Sequence, residues 1–121
     1  MFRLCVKRSF SAAHFLRGYQ GQCEELHGHN WYVEAELEAE NLDEVGLSLD
    51  FKEVKARLDL VLRELDHRLL NDHPYFKERN PSAEELARFV YGRLAANLPD
   101  GVAVAMVRVW ESENAWAGYT E

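Results

Sequence analysis

Cysteine is scarce in these 121 residues: only Cys5 and Cys23 occur. Two cysteines cannot build a disulfide scaffold, so a packed core has to stabilise the chain. No apolar run approaches the ~20 residues of a membrane-spanning helix, so a membrane protein is not expected. Positive charge is also short. Fourteen Lys and Arg stand against 21 Asp and Glu, giving a net charge of -7. Gripping a phosphate backbone takes clustered cations, and no Lys/Arg-rich run occurs, so nucleic acid is not an expected partner. A small anionic substrate stays open, because a local pocket can oppose the net charge. Residues 1–10 alternate in polarity where a signal peptide would run from a charged patch into an apolar block, so the cytoplasm is the expected location.

What is present is ordinary for a globular protein: 47% apolar and 29% charged residues. The length suits one domain, and residues 1–121 are read as a single unit with no linker or repeat. Residues 1–15 alternate with period two, as do residues 27–40, where Trp31, Val33, Ala35, Leu37 and Ala39 share one face. Helical spacing follows at Phe51, Val54, Leu58, Val61, Leu62 and Leu65. Asp50 and Glu53 resemble a capping box at its start. Residues 69–80 read as irregular. Ser82 and Glu85 form a second capping box, opening a helix with Leu86, Phe89, Val90 and Leu94 on its apolar stripe. Pro99-Asp100-Gly101 reads as a turn, Val102 to Trp110 as a third strand and Ala115 to Thr120 as a short fourth. The order β-β-α-α-β-β predicts an α+β fold: a four-stranded antiparallel sheet with two helices on one face. Its open edges need protection, and pairing with neighbouring subunits is one means.

His27-Gly28-His29 is the sharpest local feature. Residues two apart on a strand point to one side, so the two imidazoles face a common point. His14 ends the preceding strand and approaches them if the two strands form a hairpin. Three neutral imidazoles with one open position suit a catalytic zinc. Taken alone, a His-x-His pair is more often a pair on a strand surface. Cys5 lies in an apolar run and reads as a packed small hydrophobe. Cys23, four residues before His27, is either an inert loop cysteine or a thiolate activated by a nearby charge. Asp66-His67 is either a carboxylate-imidazole pair for proton transfer or the ordinary end of a helix, where the dipole favours a histidine. Their side chains, on adjacent residues, are expected to diverge. Glu111 is either a solvated strand-end residue or a carboxylate that accepts two parallel hydrogen bonds from an amidine-like edge. His73 receives no role.

Six stretches carry a resemblance that no single one carries. They are Ser11-Ala12-Ala13-His14, residues Cys23 to Asn30 (CEELHGHN), Leu49-Asp50-Phe51, residues Leu65 to Asn71 (LDHRLLN), Asn80-Pro81-Ser82-Ala83-Glu84, and Val109-Trp110-Glu111. In this order they resemble the 6-pyruvoyltetrahydropterin synthase family, whose tunnelling fold (T-fold) has the element order read above. The resemblance implies His14, His27 and His29 as zinc ligands and Cys23 as the catalytic thiol. It implies Asp66 and His67 as a proton-transfer pair reaching the site from a neighbouring subunit, and Glu111 as anchor of a pterin ring. It implies a homo-oligomer, a trimer or hexamer, with active sites at subunit interfaces.

The Cys-x-x-x-His-Gly-His spacing resembles that of the bacterial 6-carboxytetrahydropterin synthases of queuosine (7-deazaguanine) biosynthesis. It implies a zinc-dependent lyase that turns 7,8-dihydroneopterin triphosphate into 6-carboxy-5,6,7,8-tetrahydropterin, acetaldehyde and triphosphate. Pyruvoyl formation is an alternative. Glu24 is a departure: Glu-x-x-His-Gly-His resembles members that release 6-hydroxymethyl-7,8-dihydropterin for folate synthesis, which makes Glu24 an alternative catalytic residue. Two further readings are a metal-free cysteine hydrolase using Cys23, His67 and Asp66, and a non-catalytic metal-binding assembly module.

Overall fold

The computed structural model describes residues 1–20 and 24–121; Cys23 lies outside the described residues. Period-two sequence becomes two long strands, β1 (Phe2–His14) and β2 (His27–Ala39), paired antiparallel from Phe2↔Ala39 to His14↔His27. Helix α1 (Phe51–Leu62) starts at Asp50, whose side chain accepts the Lys52 N–H. The Glu53 carboxylate pairs with Arg57 one turn on, at 2.8 Å. The helix stops at Leu62, yet Leu65 in the following turn is fully buried and completes the stripe expected of it. Helix α2 (Ala83–Ala95) is capped by Ser82, whose hydroxyl accepts the Glu85 N–H at 3.2 Å. Strands β4 (Val102–Ser112) and β5 (Ala115–Tyr119) close the chain.

The sheet has five strands, where four were expected. The addition is β3, Arg68–Leu69, which runs parallel to β1 beside Ala12 and Ala13 and gives the order β3-β1-β2-β4-β5. Two residues carry no periodicity, so a strand this short leaves no trace in the sequence. Two 3-10 turns, Leu70–Asp72 and Pro74–Phe76, follow where the sequence reads as irregular.

Both helices cover one face of the sheet, α1 over β1 and α2 over β4 and β5. Between them and the sheet lie Val6, Phe10, Trp31, Val33, Leu37, Leu58, Leu86, Phe89 and Val107, all buried. The same parity that buries Phe10 and Ala12 buries His14, at 2% exposure. Cys5 has the opposite parity. It lies exposed on the helix-free face, its Sγ 3.7 Å from Glu34 Oε2, so it does not pack as a core hydrophobe. Among the described residues, no helix is long and apolar enough to cross a membrane.

Candidate metal centre and active site

Strand register assembles the histidines. His14 sits directly opposite His27, and His29 opposite Ala12, so all three rings project toward the helix-covered face at one end of the β1-β2 ladder. Glu111 joins them from β4. It has the parity of buried Val107 and Val109, and it occupies a bulge between the paired residues Trp110 and Ser112, free of the β5 ladder. Each of the four residues offers one ligand atom, and those atoms all lie within 4.8 Å of one another.

Backbone carbonyls fix the rings. His14 Nδ1 is 2.8 Å from the Pro81 carbonyl oxygen and His27 Nδ1 is 2.8 Å from that of Glu25. A carbonyl only accepts, so each Nδ1 carries the proton and donates, and in the neutral ring each Nε2 is left a lone pair. These two Nε2 atoms are 3.1 Å apart. Two lone pairs so close repel, unless a cation draws on both. His29 Nε2 is enclosed, and no atom among the described residues meets it in hydrogen-bonding geometry. Glu111 Oε1 lies 3.1 Å from that nitrogen and 3.6 Å from His14 Nε2. Burial holds the His29 ring below the ordinary histidine value; Glu111 opposes this, and the other two histidines reinforce it. A neutral ring is the metal-binding form.

This donor set fits a metal ion. Bonds of about 2.0–2.1 Å in a tetrahedral array put ligand atoms about 3.3 Å apart, close to the separations seen. Pro81 and Glu25 carbonyls supply the outer hydrogen bonds that orient metal-binding imidazoles. Neither carbonyl was singled out from sequence, because a backbone acceptor has no residue-type signature.

Glu24 lies beside the cluster, its Oε1 3.9 Å from His27 Nδ1 and 3.3 Å from the Leu16 N–H that donates to it. Asp66 and His67 are not part of the four-residue group. Their side chains do meet, with Asp66 Oδ1 2.9 Å from His67 Nδ1. The expected divergence fails because His67 has φ +57°, a left-handed backbone that folds its ring back over the preceding residue. His67 is largely exposed and shares an open groove of about 500 Å³ with Ser11, Ala12, Ala13, Gly28, His29 and Asn30.

A family model described as 6-pyruvoyl tetrahydropterin synthase matches residues 3–121. The chain belongs to the 6-pyruvoyl tetrahydropterin synthase family. As a member of that family it is an enzyme of the tetrahydropterin synthase type, and the family is metal-dependent. It is 34% identical over 102 residues to the 6-carboxy-5,6,7,8-tetrahydropterin synthase of Bacillus subtilis, covering 80% of this chain and 68% of that one. It is 36% identical over 109 residues to the dihydroneopterin monophosphate aldolase of Pyrococcus furiosus, covering 90% of this chain and 89% of that one. The crystal structure of the Plasmodium vivax 6-pyruvoyl tetrahydropterin synthase superposes with a TM-score of 0.82 at 22% identity, over 99% of this chain and 97% of that one. That likeness establishes the T-fold.

Asp66 gives this family member a measurable pH signature. The Ser11 N–H donates to its carboxylate at 2.9 Å, and this bond, together with the His67 ring, holds its pKa below the ordinary aspartate value against the opposing effect of burial. A carboxyl lowered in the folded state stabilises the fold at pH above the ordinary value of about 3.9, and the contribution is lost as pH falls through the lowered value. Asp66→Asn keeps an acceptor for Ser11 but cannot titrate. The fall in urea midpoint from pH 7 to pH 3 is therefore smaller in the variant than in the parent. Equal falls would mean that Asp66 does not feel Ser11 as described.

Proposed function

We propose that the chain is a zinc-dependent 6-carboxy-5,6,7,8-tetrahydropterin synthase, a single catalytic domain that acts on 7,8-dihydroneopterin triphosphate in queuosine (7-deazaguanine) biosynthesis. The observation that carries this reading is the convergence of three imidazoles, two with Nδ1 tied to carbonyls and the third with an enclosed, unpartnered Nε2. The Bacillus subtilis relative, which bears that name, supports the choice of product.

In this reading His14, His27 and His29 hold the metal. A bound zinc supplies Lewis acidity toward the hydroxyl and carbonyl oxygens of the substrate side chain, raising the acidity of neighbouring C–H bonds. The Cys23 thiolate and His67 carry protons to and from carbon. Asp66 takes the Nδ1 proton of His67 in its hydrogen bond, which leaves Nε2 to accept and return a proton. Glu111 accepts parallel hydrogen bonds from the N–H edge of the pterin ring, its charge suited to an amidine-like donor pair. Because His67 is so exposed in one chain, it meets substrate across a subunit boundary, in a homotrimer or a hexamer of two trimers.

A second reading has its own observation. Glu24 stands 3.9 Å from His27, and the 36%-identical relative is named an aldolase. Cleavage would then release 6-hydroxymethyl-7,8-dihydropterin, with Glu24 as the proton carrier. Both readings are tested in one experiment: quantify metal in the purified protein, add 7,8-dihydroneopterin triphosphate and identify products by mass. Zinc near one per chain, with 6-carboxytetrahydropterin and acetaldehyde lost in Cys23→Ala but not in Glu24→Gln, is expected. Hydroxymethyldihydropterin, lost in Glu24→Gln and retained in Cys23→Ala, would establish the second reading instead. Metal with no pterin turnover would refute both.

A further inference from the structure

Beyond His14, where β1 ends, side chains meet the main-chain groups of Phe15 and Arg17. The side-chain amide of Asn71 takes both main-chain groups of Phe15: the Phe15 N–H donates to Asn71 Oδ1 at 3.0 Å, and Asn71 Nδ2 donates to the Phe15 carbonyl at 2.9 Å. Asn80 does the same at Arg17, with distances of 2.8 and 2.9 Å. A primary amide presents one acceptor and donors much as a peptide unit does, so each asparagine substitutes for one rung of a β-ladder. Residues two apart in an extended chain turn their backbone groups to the same edge, and Leu16 between them turns its own to the opposite edge. There it meets Glu24. The Leu16 N–H donates to Glu24 Oε1, and the Glu24 N–H donates to the Leu16 carbonyl at 2.9 Å.

Asn71 is 4% exposed, and the segment that begins with it and ends at Asn80 leads straight into Pro81, the residue whose carbonyl orients His14. Arg17 ties back across this segment, its Nη2 donating to the Phe76 carbonyl at 2.8 Å. One edge of residues 15–17 thus belongs to the two asparagines, and the other presents Glu24 to His27.

We propose that Asn71 and Asn80 are positioning residues, whose amides hold the backbone of Phe15 to Arg17 so that Leu16 fixes the Glu24 carboxylate beside the histidine cluster. The inference rests on the reading above only for the consequence in catalysis; the placement of Glu24 is testable without turnover. Asn80 is partly exposed, so Asn80→Ala removes both bonds at a tolerant position, and Asn80→Asp, which keeps the acceptor for Arg17, serves if the alanine variant does not fold.

The experiment is amide hydrogen exchange on the parent, Asn80→Ala, Glu24→Ala and the double variant. Exchange at Leu16 and Arg17 is expected to quicken about tenfold in Asn80→Ala, with helix α2 unchanged. At Leu16, the Asn80→Ala effect largely disappears in the Glu24→Ala background, because alanine has no acceptor and has already released the Leu16 N–H. Additive effects at Leu16, or no change there, would overturn the proposal. In turnover, Asn80→Ala lowers any Glu24-dependent product about tenfold relative to the Glu24-independent one, and does nothing further when Glu24 is already Ala. Equal loss of all products in both backgrounds would reduce Asn80 to a staple of the fold and likewise overturn it. Coupled exchange at Leu16 without any Glu24-dependent product would leave the positioning intact and remove Glu24 from the chemistry.

Discussion

His29→Ala is expected to yield a folded protein that retains no metal after gel filtration and whose pterin turnover falls by about three orders of magnitude or more. The size follows from what a metal ion contributes as a Lewis acid, several kcal/mol, at ~1.4 kcal/mol per tenfold in rate. The choice of His29 over His14 is deliberate. His14 is 2% exposed and bonded to Pro81, so its loss would damage the fold as well as the site. The His29 side chain is more exposed than that of His14, and no atom among the described residues meets its Nε2 in hydrogen-bonding geometry. An enclosed polar atom without a hydrogen bond costs stability, which offsets the ring packing on Trp31 that the metal-free protein loses with it. The two readouts therefore move apart. The melting temperature in excess chelator changes little, while the stabilisation that added zinc gives the parent is absent from the variant. A variant that keeps parental metal content would show that the cluster of His14, His27, His29 and Glu111 is not the metal centre. A variant that simply unfolds would show that His29 serves the core.

Much of the histidine cluster is legible because its assembly depends on parity alone. His27 and His29 share a face on any strand, and only the register of one hairpin is needed to bring His14 opposite His27. The helix starts are legible for a related reason: Asp50 and Ser82 act on backbone groups within three residues of themselves. The less legible features depend on contacts distant in sequence or on backbone geometry. Glu111 could be read as a pterin anchor but not as a neighbour of His29, because that requires β4 to pair with β2. Asp66 reaches His67 only through the left-handed φ of His67, a state few non-glycine residues adopt and no motif announces. Asn71 and Asn80 stood inside matched stretches without a role, since their partners are backbone atoms more than fifty residues away. Cys5 was misread for a simpler reason: an apolar neighbourhood in sequence says less about burial than the face a residue occupies.

Trp31 joins the core to the site, and its replacement should therefore have effects of two kinds. The side chain is fully buried, stacked on Phe10 with ring centroids 6.1 Å apart, and its Nε1–H donates to the Ala12 carbonyl at 3.3 Å. Its ring also meets His14 and His29 edge-on, at 4.9 and 5.0 Å. Trp31→Ala empties the largest fully buried side chain and is expected to cost about 3–5 kcal/mol by urea unfolding in chelator. Against the ~5–15 kcal/mol that holds a domain of this kind together, that leaves a marginal protein. Trp31→Phe keeps the stack on Phe10 but gives up the bond to Ala12 and part of the wall against the two imidazoles. Its stability loss is smaller, about 1–2 kcal/mol for one hydrogen bond and a modest change of volume. Zinc affinity, measured by competition with a chromophoric chelator, falls about 10–100-fold, the range seen when groups that orient metal ligands are removed. If Trp31→Phe loses stability but binds zinc as the parent does, the histidines are held by their carbonyl partners, Pro81 and Glu25, and not by the indole. If it loses affinity with little loss of stability, the same ring that fills the core also sets the angle at which His14 and His29 face the metal.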